Sequence, residues 1–268
     1  MRVLMGTVFY KQAKCYISDC LKSIINQTMS DFDVLILLDD IDLTTFCKEN
    51  KEQLSRLDGR FYIVSTNSKM KIYQLRVEMI RYAYDNKYDL LILIDCDDIC
   101  ACNRVEEYIN QFLPEYSFFY NELVDFGGNS IMPNLPDETV HLNQLLESNY
   151  LGLTNTALNI NKLSLEIINK LEDGKTNIFD WYLFTVLLLK HAKGKKIKGT
   201  RTFYRLYEDN IAGKGNSSII EREYNVKIEH YSLLESDNII FHDLKSKYIL
   251  RDYSITEKQE VYWWGKLI

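Results

Sequence analysis

The chain has 268 residues, 46% of them hydrophobic and 26% charged, an ordinary globular balance far from that of a disordered segment. Its 32 Lys and Arg against 38 Asp and Glu give a formal net charge of -6, so the molecule as a whole repels a phosphate backbone and nucleic acid is not an expected partner. Only 3 Pro and 11 Gly, no self-similar period and no apolar run near the ~20 residues that span a bilayer exclude collagen-like, solenoid and membrane-crossing readings.

The first half alternates two kinds of pattern. Arg2 to Val8 reads as an apolar strand, and Ala13, Tyr16, Ile17, Cys20, Leu21 and Ile24 follow the spacing of an amphipathic helix. Strand Asp33 to Leu38, a weaker helix Thr44 to Leu57, strand Phe61 to Ser65, a helix marked by Ile72, Leu75, Met79, Ile80 and Ala83, and strand Asp89 to Ile94 complete a β-α-β-α-β-α-β order. Runs such as Val34 to Leu38 and Leu90 to Ile94 are apolar throughout, as strands of a parallel sheet covered on both faces must be. The first ~100 residues therefore predict a doubly wound α/β unit. Beyond Asp98 come helix Arg104 to Phe112, a strand-like Ser117 to Phe126, a Gly127-Gly128 turn, helices Lys162 to Leu171 and Trp181 to His191, a strand near Lys196 to Leu206 and a polar loop, Glu208 to Ser217. The remainder reads as helices ending in Val261-Tyr262-Trp263-Trp264. With no linker in view, the second half is expected to complete the same sheet and to build an acceptor-facing wall.

The six Cys (15, 20, 47, 96, 100 and 102) lie in apolar helical and strand patterns with no signal peptide before them, and read as the reduced thiols of a cytoplasmic protein. Cys96, Cys100 and Cys102 lack a paired C-x-x-C spacing and a nearby His, which argues against zinc. The basic run Lys193 to Arg201 reads as a solvated helix end and strand start, with an anionic ligand as the alternative.

Ligands of open α/β sheets bind beyond the carboxyl ends of the strands, so the residues there are the ones to weigh. They are Thr7 and Phe9, Asp39-Asp40, Asn67, and Asp95-Cys96-Asp97-Asp98. Two carboxylates ~4 Å apart repel by about 4 kcal/mol at an effective dielectric of about 20, a cost that a nearby cation offsets. Hard Mg or Mn takes oxygen from one or two carboxylates and completes its shell with diphosphate oxygens, which suits a short acidic cluster without a His cage. The alternative is that these Asp residues cap the turns that follow. Arg76 falls within the apolar arc of its helix, where a guanidinium needs an anion; a snorkelling or internally paired side chain is the other reading.

These residues carry a resemblance. Gly6-Thr7-Val8-Phe9-Tyr10-Lys11-Gln12-Ala13-Lys14, followed by Cys20 to Thr28, resembles the opening of family-2 glycosyltransferases of the GT-A fold. Asp39-Asp40 is similar to that family's nucleotide-binding acidic pair, with Ile41-Asp42 in place of the usual Gly-Ser. Arg76 stands where the family has the Arg of an Ala-Arg-Asn stretch, and Ile94-Asp95-Cys96-Asp97-Asp98 is similar to Leu-Asp-Ala-Asp-Asp, its metal- and diphosphate-binding motif. Phe179-Asp180-Trp181 resembles Glu-Asp-Trp without the Glu, and Tyr204 to Gly213 resembles a donor-closing segment in which Tyr207 replaces a His.

The resemblance implies an α/β GT-A fold: a Rossmann-like, mostly parallel sheet flanked by helices, with a mixed acceptor-side half and C-terminal helices. It divides the chain into a nucleotide-sugar-binding half (1-104), an acceptor-side half (105-217) and a C-terminal helical extension (218-268). It implies a metal-dependent, inverting glycosyltransferase that takes a nucleotide-diphosphate sugar as donor and a glycan, lipid-linked or protein hydroxyl as acceptor. Asp97, with Asp95, would hold Mn or Mg. Thr7, Phe9, Asp39, Asp40, Arg76, Asp95 and Asn210 would contact the donor, and Asp180 would be the catalytic base, a plain helix cap worth ~1 kcal/mol being its alternative.

A sugar nucleotidyltransferase is the competing enzyme, but Val8-Phe9-Tyr10-Lys11-Gln12 lacks the Gly-rich triphosphate loop it needs; an inactive nucleotide-sugar-binding protein is the non-enzymatic reading. His141, His191, His230 and His242 form no ligand pair. Val261 to Trp264 is expected to dock on the protein itself, with a homodimer contact or a peripheral membrane contact at the inner face as alternatives.

Overall fold

The structure, a computed structural model, describes residues 1-66, 70-132, 134-206, 218-256 and 262-268. Its first half is built from β1 (Val3–Tyr10), α1 (Lys14–Ile25), β2 (Asp33–Asp39), α2 (Leu43–Glu49), α3 (Lys51–Ser55), β3 (Phe61–Thr66), α4 (Ile72–Asp85) and β4 (Leu90–Leu93). The helix expected over Thr44 to Leu57 is two helices. Asp42 caps the first by accepting the Thr45 amide at 2.8 Å, and the buried Asn50 side chain ends it on the Phe46 carbonyl at 2.9 Å.

The second half adds β5 (Ile99–Cys100), α5 (Arg104–Asn110), β6 (Phe118–Val124), β7 (Glu138–Thr139), β8 (Thr156–Asn159), α6 (Leu165–Asp173), α7 (Phe179–Leu189) and β9 (Gly194–Phe203). Then come α8 (Ser218–Leu234) and α9 (Ile239–Ile249). The strands pair in one sheet in the order β3-β2-β1-β4-β8-β6-β9-β5, with β7 beside β9. Pairing is parallel from β3 to β4, and β6 is parallel to β9; β8 is antiparallel to both β4 and β6, and β5 and β7 to β9. The sheet is therefore parallel through its first half and mixed in its second, as the expected fold has it. Apolar runs report two covered faces, and an internal strand between helices has those whichever way it runs.

The fully apolar strands have a direct physical cause. Leu35, Leu37, Leu91 and Leu93 enter one core with α4, α6 and α7, whereas Val34, Ile36, Leu38, Leu90 and Ile92 enter the other with α1, α2 and α5. Alternate side chains thus face opposite, equally dry layers. The C-terminal helices join the first layer: His230 of α8 stacks on Trp181 of α7 with ring centroids 4.0 Å apart, and burial drives its pKa down to about 3, so it is a neutral core residue.

The tail that follows α9 is not helical where it is described. Ile255 bridges Leu267, Asn149 bridges Trp263, and Trp264 and Leu267 are buried in the first core. All six Cys are free, and Cys15 and Cys102 are exposed instead of lying within the apolar pattern. Among the described residues no helix is long and apolar enough to cross a membrane.

The pairing of β6 with β9 depends on a missing side chain. A Cβ at Gly194 would stand 1.9 Å from Cε2 of its register partner Phe118, whose ring is held 5.0 Å from Phe184. Gly194→Ala is expected to destabilise the fold by about 1–3 kcal/mol through overpacking, measured as a lower urea midpoint with an unchanged slope.

Candidate active site

The topology brings the ends of several strands to one rim. β1, β2 and β4 run parallel, so Tyr10, Asp39 and Asp95 emerge on the same side. β8 runs against β4, which brings the 3-10 turn Leu153–Asn155 before it to that rim. β6 and β9 end there too, followed by Tyr204 and Arg205.

Four carboxylates crowd this edge. Arg76 Nη2 lies 3.4 Å from Asp95 Oδ1, its side chain 18% exposed, so the anion that the helix pattern demands is the first residue of the acidic motif itself. Burial raises the Asp95 pKa, Arg76 opposes the rise and Asp97 adds to it. Asp98 is pushed further: it is 1% exposed, Oδ1 accepts the Arg205 amide at 2.8 Å, Oδ2 is buried without a hydrogen bond, and Asp97 and Asp95 add repulsion. Cys96 points into the core between them, and Cys20 of α1 donates to the Asp95 carbonyl at 3.7 Å.

Asp180 stands in the first turn of α7, where the residue at the cap is Ile178, so it is not the N-cap. Its Oδ1 accepts its neighbour's amide, Trp181 N, at 2.8 Å, and burial raises its pKa to about 6, with Arg76 opposing and Asp95 reinforcing the shift. Tyr204 belongs to the same cluster, its phenol pushed upward by burial and by Asp98, Asp95, Asp97 and Asp180. Arg205 is clamped above Asp97, whose carbonyl accepts from Nε at 2.8 Å, with its guanidinium 4.4 Å over Tyr16 and 4.5 Å over Phe126.

At the β1–β2 end, burial raises the Asp39 pKa and the Asp40 charge adds to the shift, while Asp40, at φ 53°, pairs with Lys11 at 3.2 Å. Two of the expected donor-contacting residues have buried side chains. Phe9 is 0% exposed with its ring 5.7 Å from Phe46, and Thr7 is also fully buried, its hydroxyl without a hydrogen bond. Strand alternation turns these two side chains toward the α1 layer, and the half-exposed side chain at the end of β1 is Tyr10. Asn67, Tyr207 and Asn210 lie outside the described residues.

Sequence reasoning missed the support beneath the rim. Arg104 is wholly buried; Nη2 donates to the Leu93 carbonyl at 2.9 Å and the Thr156 carbonyl at 3.3 Å, tying the end of β4 to the start of β8. Its position in a helical first turn resembles any solvated Arg, so no linear signal marks it. Gln27, part of the opening motif, bridges the Ala101 carbonyl and the Val105 amide, each at 2.9 Å, and fixes the chain after Asp98.

Among the described residues no three His, Cys, Asp or Glu side chains converge into a metal cage. A hard cation sharing its shell with a diphosphate does not require one. Asp95 and Asp97, both partly exposed just after β4, offer the carboxylate oxygens that such an ion takes, and the residues present fit it in donor type.

A sheet whose parallel half ends in Asp95-Cys96-Asp97-Asp98, with Arg76 paired to the first of these residues, has the α/β architecture that binds ligands beyond its strand ends. Residues 6–144 match glycosyl transferase family 2, and the chain belongs to that family of glycosyltransferases. No curated protein matches its sequence. Among solved structures, S. aureus TarS 1-349 in complex with UDP-GlcNAc superposes with TM-score 0.61 at 11% identity, over 94% of this chain and 72% of that one. The mannosyltransferase PcManGT from Pyrobaculum calidifontis in complex with GDP-Man and Mn2+ gives TM-score 0.62 at 12% identity, over 93% and 70%. A longer TarS chain gives 0.58 at 12% identity over 96% of this chain, which spans only 44% of that length. These likenesses establish the GT-A fold.

The raised Asp180 pKa carries a signed consequence. Relative to an unfolded value of about 3.9, ionisation of Asp180 costs the folded state nothing at low pH and its full amount above about 6. Asp180→Asn is therefore expected to match the wild type near pH ~4 and to exceed it in stability near pH ~8, by thermal melting across that range.

Proposed function

We propose that this chain transfers a glycosyl group, with inversion, from a nucleotide-diphosphate sugar to a hydroxyl of a glycan, lipid-linked or protein acceptor. The observation that carries this reading is the Arg76–Asp95 ion pair, 3.4 Å long, just beyond β4, with Asp180 of the other half of the chain near enough for both charges to act on it. This arrangement sets a raised carboxylate beside a diphosphate-type acidic motif. TarS with UDP-GlcNAc and PcManGT with GDP-Man and Mn2+ support a nucleotide-sugar donor on this fold.

In this reading residues 1-104 hold the donor, 105-217 face the acceptor and 218-268 form an extension. Asp39 and Asp40 lie where strand ends one and two flank the base and ribose. Asp97 and Asp95 would hold Mn or Mg, which when bound neutralises charge building on the diphosphate leaving group. Arg76 contributes a fixed second positive charge there. Asp180, ionised above pH ~6, takes the acceptor hydroxyl's proton as that oxygen attacks the anomeric carbon from the face opposite the diphosphate, whose bond to that carbon breaks. Tyr204 and Arg205 close the rim.

The test is release of nucleoside diphosphate from UDP- and GDP-sugars with Mn. Asp180→Asn is expected to lower turnover by about 10²–10⁴ while keeping the thermal shift given by nucleotide and Mn. Full turnover in that variant would remove Asp180 as the base. Asp97→Ala is expected to abolish the Mn-dependent part of the nucleotide shift. Release of inorganic diphosphate from a nucleoside triphosphate would instead identify a nucleotidyltransferase.

A further inference from the structure

The tail after α9 carries two adjacent indoles that diverge. Trp264 is 9% exposed and enters the core; it adopts φ 62°, a left-handed conformation that a bulky residue takes only when its surroundings enforce it. Trp263 stays half-exposed, and its backbone carbonyl accepts the Asn149 amide at 2.8 Å. Its ring lies on Gly152, where any Cβ would meet Cη2 at 2.8 Å, so the glycine is what admits the indole. Two residues on, the Thr154 hydroxyl accepts the Asp95 amide at 3.4 Å. The Trp263 ring is also 5.9 Å from that of Tyr204, whose phenol feels the charges of Asp98, Asp95, Asp97 and Asp180.

The tail is fixed by an ion pair that the chemistry above does not use. Lys227 and Glu223 of α8 are 0% and 2% exposed with 3.8 Å between them. Glu223 Oε1 accepts the Leu267 amide at 2.6 Å, and Lys227 Nζ donates to the Leu267 carbonyl and to the Tyr248 hydroxyl, the latter at 2.8 Å. Ser254 and Ile268 exchange backbone hydrogen bonds at 2.8 and 3.0 Å, and Tyr262 donates to the Asn134 carbonyl at 2.9 Å. A buried ion pair seldom adds net stability over an apolar pair of similar size, and here it specifies where the tail runs.

Position in the sheet decides which ligand meets Trp263. In the order β2-β1-β4-β8 the acidic motif follows β4, the β1–β2 ends lie on one side of it, and Gly152 and Trp263 lie on the β8 side. We infer that Trp263, with Tyr204, is the platform on which a pyranose ring of the acceptor stacks, its apolar C–H face on the indole and its hydroxyl toward Asp180. This rests on the glycosyl-transfer reading. It names a carbohydrate acceptor subsite supplied by the C-terminal tail.

The three Trp of the chain, 181, 263 and 264, allow a direct readout by 5-fluorotryptophan NMR, with Trp263→Phe assigning the signal. With UDP or GDP and Mn present, methyl pyranosides of glucose, galactose, mannose and N-acetylglucosamine are the probes. At least one is expected to move the Trp263 resonance and to leave Trp181 in place. In transfer assays Trp263→Ala is expected to raise the acceptor KM about tenfold with the donor KM unchanged, and Trp263→Phe to restore most of the loss. Nucleotide-induced thermal shifts check that both variants fold. If nucleotide and Mn bind but no glycoside moves Trp263, or if a polyprenyl phosphate alone does, the subsite is overturned and the transferase reading stands. If glycosides move Trp263 while no nucleotide binds, the transferase reading fails and a sugar site remains.

Discussion

Burial of carboxylates at the carboxyl edge of the sheet, with their mutual repulsion added to it, is the constraint on which the site depends. Asp95, Asp98 and Asp180 are each held above the ordinary carboxylate range, and burial is the leading cause for all three. Fixed positive charge offsets part of that cost. Arg76 reaches the rim from α4 and Arg104 from beneath, where its guanidinium draws the Asp95 pKa down while it bonds the β4 and β8 carbonyls, and the Arg205 backbone amide donates to Asp98. In the proposed reading, a bound cation would supply the positive charge that these carboxylates lack.

The same constraint explains why both halves of the chain share one sheet. A parallel α/β half presents the acidic strand ends, and the groups that face them come from the second half. Reversing β8 against β4 brings the Leu153–Asn155 turn beside Asp95, and β6 and β9 then extend the sheet so that Tyr204 and Arg205 return over the motif. α7 packs on the opposite layer from α1 with its first turn at the rim, which aims Asp180 inward. Much of the geometry of this rim is thus a matter of strand direction.

Much of the first half was legible in the linear sequence, because its signals are local. Fully apolar strands, amphipathic helices and carboxylates at strand ends need only nearest-neighbour chemistry to be read, and Asp39, Asp95, Asp97 and Arg76 stand where the pattern places them. Phe9 and Thr7 show the limit: both close an apolar strand, yet which layer each faces depends on the phase of the pleat against α1. Asn50 likewise splits a helix by a side-chain bond that periodicity does not register.

What the sequence determined by itself was the alternation of elements, the acidic motif and its family, since these depend on residue type and spacing along the chain. Strand direction in the second half, the meeting of Asp180 with Arg76 and Asp95, the burial of Arg104 and the course of the tail that sets Trp263 on Gly152 were decided by tertiary structure alone. Each rests on contacts between residues tens to more than a hundred positions apart. Their energies come from burial and charge in a shared low-dielectric space, a property of the assembled layers and of no single segment.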